Sequence, residues 1–380
     1  MRNFALETHF SKWEFAARHH MTASDAQSLT IAELLDMAGP EARDDLLECW
    51  LGYTETRGAP DLRAALAQTY DACQASDIQC FVGAEEAIYA AMRVMLTPDD
   101  HAIVLVPNYQ AAETLPLGIC DVTGVALRAE DNWQLDVDAI RAAMRPNTKL
   151  VSINFPNNPT GAIPTRDAFD ALVALCRERG VWLFSDEVYR LLELDASKRV
   201  PQVADVYERG VSVNVLSKAY GLPGLRVGWI ACRDASLLDA LEKYRHYLSI
   251  CGSAPSERLA VAALSVRDQI LERNLAIVRG NQALLDTFFA DYPDLFEWRH
   301  PDGGCVAYPR YLGADGVEAF CHDIVEQEGV LLLPASIYHS ELMASPTDRF
   351  RIGMGRKGID AGLDAMRRFL DRRGNSAARG

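Results

Sequence analysis

The stretch "NVLSKAYGLPGLRVGWIAC", Asn214 to Cys232, decides how the chain is read. An apolar run ends near a lysine, Gly-Leu-Pro-Gly turns the chain, and a second apolar run follows an arginine eight residues beyond that lysine. The chain has only six lysines against 32 arginines, so Lys218 at this place calls for a reason. A lysine is ordinarily a solvated surface group. Here an apolar segment precedes it and a stiff turn follows, which fixes its amine at one point in a cleft. A partly desolvated lysine has a lowered pKa and serves as nucleophile and base. Arg226 offers a planar fork suited to a phosphate.

The same grammar extends outward on both sides. "HAIVLVP", "TKLVSINFP", "VWLFSDE" and "VSVNVLS" read as buried strands, with "AEEAIYAAMRVML", "AIRAAMRP" and "RDAFDALVALCRERG" as helices among them. Strands that are apolar throughout, interleaved with helices, predict a mainly parallel sheet covered on both faces. Ligands of such sheets bind beyond the carboxyl ends of the strands, so polar residues just after each strand are the candidates. "NFPNNPTG", Asn154 to Gly161, is a turn by composition, and it also presents the Asn158 amide on a Pro-flanked support. In "FSDEVYR", Asp186 either caps a helix or pairs with a cationic ring nitrogen, and Tyr189 stands three residues on. Arg351, in the strand-like "FRIGMGR", requires a carboxylate partner, from the chain or from a ligand.

A length of 380 residues predicts two domains. The expected division is an N-terminal arm, 1–40, joining a small α+β domain, 291–380, with a large domain over 41–290. A long helical pattern over 256–290 links the two, and the tail "RRGNSAARG" is expected to fray. The net charge of −15 argues against nucleic acid or an acidic membrane surface as partner. No apolar run reaches membrane-spanning length, and the N-terminus lacks a signal-peptide core. Nine scattered cysteines without a CxxC pair point to reduced thiols in the cytoplasm, and the absence of an HExxH pair argues against a metal site.

Taken in order, Gly83-Ala84 opening a helix, Tyr109 after a strand, Asn158, Asp186 with Tyr189, Lys218, Arg226 and Arg351 resemble the class I/II aminotransferase family. These are fold-type I enzymes that use pyridoxal 5′-phosphate. The segments N-N-P-T-G, S-D-E-V-Y, S-K-x-x-G-L-P-G-x-R-x-G and F-R-I-G carry the resemblance, which runs over nearly the whole chain. It implies a large domain with a mainly parallel seven-stranded sheet, a smaller α+β domain, and amino-group transfer between an L-amino acid and a 2-oxo acid. Lys218 would carry the cofactor as a Schiff base and move the α-proton. Asp186 would pair with the pyridine nitrogen, Asn158 and Tyr189 would bind the ring oxygen, and Tyr109 would stack on the ring. The phosphate would sit on the backbone of Ala84 and Glu85, with Arg226, and Ser217 would either add a hydroxyl there or be structural. Tyr53, in "GYTETRG", matches the tyrosine that reaches the neighbouring subunit's phosphate, which implies a homodimer. Arg351 would hold the α-carboxylate beside Asn158, and Ser28, Leu29 and the loop near Tyr338 would face the side chain.

Two positions depart from the pattern. Val215 stands where a phosphate-binding serine is usual. Glu85 replaces a small or hydroxylated residue, so its carboxylate is expected to point away from the phosphate. "LSKAYGLPGLRVGW", "RHYLSICGSAPSERLA" and "GGCVAYPRY" are also similar to the capreomycidine synthase type, which cyclises a hydroxylated arginine with the same cofactor. That resemblance implies elimination and cyclisation as the alternative reaction. A cofactor-sensing regulator would need a basic DNA-binding segment, and the stretch before Tyr53 is too short and acidic for one.

Overall fold

The computed structural model describes residues 2–377. Its centre is a seven-stranded sheet: β1 (Ile78–Val82), β2 (His101–Val106), β3 (Asp121–Ala126), β4 (Thr148–Asn154), β5 (Trp182–Asp186), β6 (Gly210–Val215) and β7 (Val227–Ala231). The spatial order is β1-β7-β6-β5-β4-β2-β3, and only β7 runs antiparallel to its neighbours. β2 and β6 are buried at every position, as mostly apolar strands flanked by helices on both faces should be, and the buried Ser212 of β6 is satisfied by donating to Glu187 at 2.9 Å. Two strands have weak signals in the sequence. β3, "DVTGVA", lies at the sheet edge and is half exposed, so it needs few apolar residues. β1 is the other edge, five residues long, directly before the helix that starts at Ala84.

The covering helices follow their caps. In Arg166–Arg179 the Thr165 side chain accepts from Ala168 N–H, and Gly180 ends the helix in the left-handed region at φ 65°. Its buried stripe is Phe169, Leu172, Val173, Leu175 and Cys176. Each such side chain contributes about 1.5–3 kcal/mol by burial. Leu172→Ala would cost about 2–5 kcal/mol, the loss typical of a cavity in a dense core.

The helical pattern expected over 256–290 is two helices, Ala254–Ser265 and Arg267–Ala290, broken at Val266. Val266 leaves the helical region with ψ 23°, which redirects the chain. Beyond them, Val306–Ala307, Phe350–Gly353 and Leu333–Pro334 form a small antiparallel sheet. His19–His20 pair in parallel with Val330–Leu331, which ties the N-terminal segment to this C-terminal region. The tail departs from expectation. Helix Ile359–Ala377 continues through "RRGNSAA", held in part by Arg373, which donates to Asp323 at 2.6 Å, and by Arg372 on Glu328. The last three residues of that tail lie outside the described residues.

Candidate active site

The carboxyl ends of β4, β5 and β6 open onto a cavity of about 570 Å³. That size suits a small-molecule site. Asn158, Asp186, Tyr189, Lys218, Arg226 and Arg351 all line it, although they span nearly 200 residues of sequence.

Asp186 ends β5 opposite Asn154, the last residue of β4. The Asn154 amide donates to Asp186 O at 2.9 Å, and its Oδ1 accepts from Asn158 N–H at 2.8 Å. One side chain thus joins two strand ends to the Asn-Pro turn. Among the described residues, Asp186 Oδ1 accepts only from Val188 N–H, at 3.1 Å. Burial pushes its carboxyl up to about 6, against the pull of that N–H and of Lys218. It is a buried acid waiting for a cation.

Lys218 donates from Nζ to Ser24 Oγ at 2.8 Å. Burial lowers its pKa, with Asp25 opposing. The glycine after the lysine has a definite purpose. Gly221, at φ +65°, donates its N–H to Lys218 O at 3.1 Å, and a Cβ there would come 2.8 Å from Gln27 O. Nζ sits 5.8 Å from the centre of the Tyr189 ring. The Tyr189 hydroxyl is buried, with the Ser24 side chain as a polar neighbour.

Arg226 reaches back to the helix Ala84–Met95. A Cβ on Gly83 would lie 2.4 Å from Arg226 Nη2, so glycine at φ +85° admits the guanidinium to the helix N-terminus. Arg226 forms no ion pair among the described residues; Nη1 donates only to Pro223 O, at 3.4 Å. An unpaired fork beside free helix N–H groups is an anion site. Ser217 and Val215 also border the cavity, and Tyr109 forms part of its wall, its ring centre 5.4 Å from that of Phe4.

Arg351 is 1% exposed. Its Nη2 donates to Thr22 O at 2.8 Å, Nε to Thr22 Oγ1 at 3.2 Å, and Nη1 to Asn158 Oδ1 at 3.2 Å. Tyr338 donates to the same Asn158 oxygen at 3.4 Å. No carboxylate of the described residues pairs with it, which leaves the expected partner to a ligand.

Two expectations change. Ser28 and Leu29 do not border the cavity: Ser28 is exposed and Leu29 packs on the core. The chain has already turned away there towards helix Ile31–Ala38, capped by Thr30. Ser24 and Asp25 take the place instead. Glu85 does not turn away from the cavity. It lines the wall with one oxygen buried and unpartnered, and burial pushes its carboxyl up to about 7, offset in part by Tyr109. Tyr53, expected to serve a neighbouring subunit, is 85% exposed and lies outside the cavity of its own chain.

Sequence reasoning also passed over helix α1 (Ala5–Trp13), which forms part of the cavity wall. Leu6, Phe10 and Trp13 repeat at helical spacing, a signal that was available.

The donor set fits pyridoxal 5′-phosphate: an unpaired cation at a helix N-terminus, a buried acid for the ring nitrogen, and an amine of lowered pKa. The family model for aminotransferase class I and II matches residues 33–365. The chain belongs to this family. It is similar to capreomycidine synthase of Streptomyces vinaceus, 29% identical over 387 residues that cover 99% of this chain and 95% of that one. Arginine–pyruvate transaminase AruH of Pseudomonas aeruginosa is 30% identical over 313 residues, 78% of this chain and 77% of that one. Among solved structures, a pyridoxal-phosphate-dependent aminotransferase from Streptococcus suis is 30% identical, with TM-score 0.91 and 98% of both chains covered. The protein is thus a pyridoxal-phosphate enzyme of the class I/II group.

Proposed function

We propose that the protein is an aminotransferase that moves an amino group between an L-amino acid and a 2-oxo acid, with Lys218 as cofactor carrier and base. The observation that carries this reading is the Lys218 amine itself. It is desolvated, its pKa is lowered, and its hydrogen bond goes to the Ser24 hydroxyl rather than to an acid. Burial weakens the amine's hold on its proton, the direction a general base needs. When bound, pyridoxal phosphate supplies an electron sink for negative charge at the substrate α-carbon.

The chain's own residues do the rest. Arg226 and the N–H groups of Ala84 and Glu85 hold the phosphate, with Ser217 alongside. Asp186 would keep the ring nitrogen protonated, Asn158 and Tyr189 would donate to the ring oxygen, and Tyr109 would pack on the ring. Arg351 grips the α-carboxylate and turns the α C–H towards Lys218 Nζ. Lys218 takes that proton and holds it for return, oriented by Ser24.

The test uses loaded enzyme and one amino acid, with no 2-oxo acid added. Transamination converts the cofactor to its amine form and releases an equal amount of 2-oxo acid. A second reading, cyclisation of a hydroxylated arginine, draws on the likeness to capreomycidine synthase over 99% of the chain. In that case the cofactor returns to its aldehyde form and a cyclic guanidino amino acid accumulates.

The same reading makes the protein a homodimer with shared sites. Leu47, Trp50, Leu51 and Tyr53 are all at least 76% exposed, a run of large side chains that a partner subunit would cover. Cytoplasmic location is part of the proposal, supported by nine free cysteines. No helix among the described residues is long and apolar enough to cross a membrane.

A further inference from the structure

A second cavity, of about 680 Å³, lies outside the site described above. Thr160 and Ala162, at the end of the Asn-Pro turn, form part of its wall. Asn132 and Trp133, in the loop after β3, and Arg349, just before the strand Phe350–Gly353, form more of it.

Most of the charges on this wall are matched. Arg310 donates from Nε to Asp348 at 2.5 Å and from Nη1 to Glu297 at 3.4 Å. Lys198 pairs with Asp302 at 2.5 Å, and His300 turns to Asp286 at 2.6 Å. Glu130 is exposed to water. Two guanidiniums remain. Arg299 donates from Nη1 to Ala129 O at 3.1 Å and to Asn132 Oδ1. Arg349 donates from Nη1 to Tyr308 O at 3.1 Å, and its guanidinium carbon stands 5.2 Å from the centre of the Trp133 ring. Among the described residues neither has a carboxylate within ion-pair distance, and neither engages Nε or Nη2.

Two further features mark the place. Tyr308 borders the cavity, is 5% exposed, and keeps a buried hydroxyl without a hydrogen-bond partner. A buried hydroxyl is normally satisfied, so one left free at a cavity wall is a place for a ligand's oxygen. Trp133 holds its backbone at φ +59°, directly after Asn132 at φ +57°. For a residue as bulky as tryptophan, that left-handed conformation persists only where the surroundings enforce it. It sets the Trp133 ring against Arg349 and the Asn132 oxygen against Arg299, so one loop steadies both forks.

We infer that this cavity is a second binding site, taken by a small anion whose carboxylate or phosphate group Arg299 and Arg349 receive together. In a chain of net charge −15, two unpaired guanidiniums on one concave surface are the exception. Their planar forks suit the oxygens of either group. The site adjoins the catalytic cavity without sharing its charged residues. Tyr308 packs edge-on against Tyr338, ring centres 5.4 Å apart, and Tyr338 donates to Asn158 Oδ1.

The test is calorimetric titration of the cofactor-loaded enzyme with inorganic phosphate and, separately, with malonate; loading fills the cofactor's own phosphate site. At least one probe should bind with a Kd of about 1 mM or below, and the tighter of the two tells phosphate from carboxylate. Arg299→Gln and Arg349→Gln should each weaken that binding at least about tenfold, the loss of a charged hydrogen bond. Arg351→Lys should leave it in place, since that arginine faces the other cavity. Arg299 is exposed, so its replacement keeps the fold and decides the matter should Arg349→Gln fail to fold. No binding of either probe, binding unaltered by Arg299→Gln, or binding wholly lost with Arg351→Lys overturns the inference. The aminotransferase reading stands in every case.

Discussion

Replacing Asp186 by asparagine removes one titration and keeps the shape of the residue. The new side-chain carbonyl would still accept from Val188 N–H, which lies 3.1 Å from Asp186 Oδ1. Burial holds the native carboxyl at about 6 against an ordinary 3.8, a difference of about 2 pH units. At about 1.4 kcal/mol per unit this is a coupling of about 3 kcal/mol. The raised value fixes the sign. The cofactor-free folded protein binds this proton more tightly than the unfolded chain does, so the contribution is full below roughly pH 4 and lost as pH rises through about 6. Asp186→Asn escapes that loss. Its melting temperature relative to wild type should rise by about 4 °C between roughly pH 4 and pH 7, at about 2.1 cal/mol/K per residue over 380 residues. Scanning calorimetry of both cofactor-free proteins across that range measures it. Adding pyridoxal phosphate should narrow the gap near neutral pH, because the ring nitrogen then supplies the missing cation. A flat difference between the two cofactor-free proteins would refute the idea that Asp186 is an uncompensated buried acid.

Other outcomes follow from the same site. Borohydride reduction of loaded enzyme followed by peptide mapping should place the label on Lys218; a label on Lys149 or Lys243 would show that the amine is elsewhere. Arg226→Ala should weaken cofactor affinity roughly 10- to 100-fold in equilibrium dialysis, the loss of a charged hydrogen-bonding partner, and unchanged affinity would make Arg226 a spectator. Arg351→Lys should raise the substrate KM at least about tenfold with the cofactor spectrum intact, since a point charge does not reproduce the fork; an unmoved KM would make the arginine structural. Mixing inactive Tyr53→Phe and Lys218→Ala subunits should restore some activity, and none despite proven subunit exchange would contradict a shared site.

The readable parts of the sequence were those whose cause is local. Lys218, Gly221 and Arg226 lie within one strand-turn-strand, and the left-handed Gly221 and the glycine-admitted guanidinium explain why that segment has so little freedom. Asp186 and Asn158 were legible because a parallel sheet puts strand ends on one edge. Ser24 was not. It meets Lys218 across 194 residues, and nothing in "MTASDAQ" distinguishes a hydroxyl facing an amine from one facing water. Placing the side-chain pocket at Ser28 and Leu29 missed by a few residues, because the turn towards the Thr30 cap leaves no mark in hydrophobic periodicity. The break at Val266 was hidden for a similar reason: apolar spacing continues through it, and only the backbone changes direction.

The parallel pairing of His19–His20 with Val330–Leu331 has a consequence for how such a protein diversifies. The residues of this chain proposed to hold the cofactor lie within 84–226, whereas residues 4–25 together with Arg351 and Arg356 supply much of the remaining cavity wall. The two sets are therefore written in largely different stretches of the gene, with Ser24, the partner of Lys218, common to both. Outside Thr22, Ser24 and Asp25, which meet Arg351, Lys218 and Arg356, the first twenty-five codons can drift without disturbing the strand ends, provided the two-residue pairing to the C-terminal region survives. Exchanging residues 2–25 between family members should transplant amino-acid preference while cofactor affinity stays with the recipient.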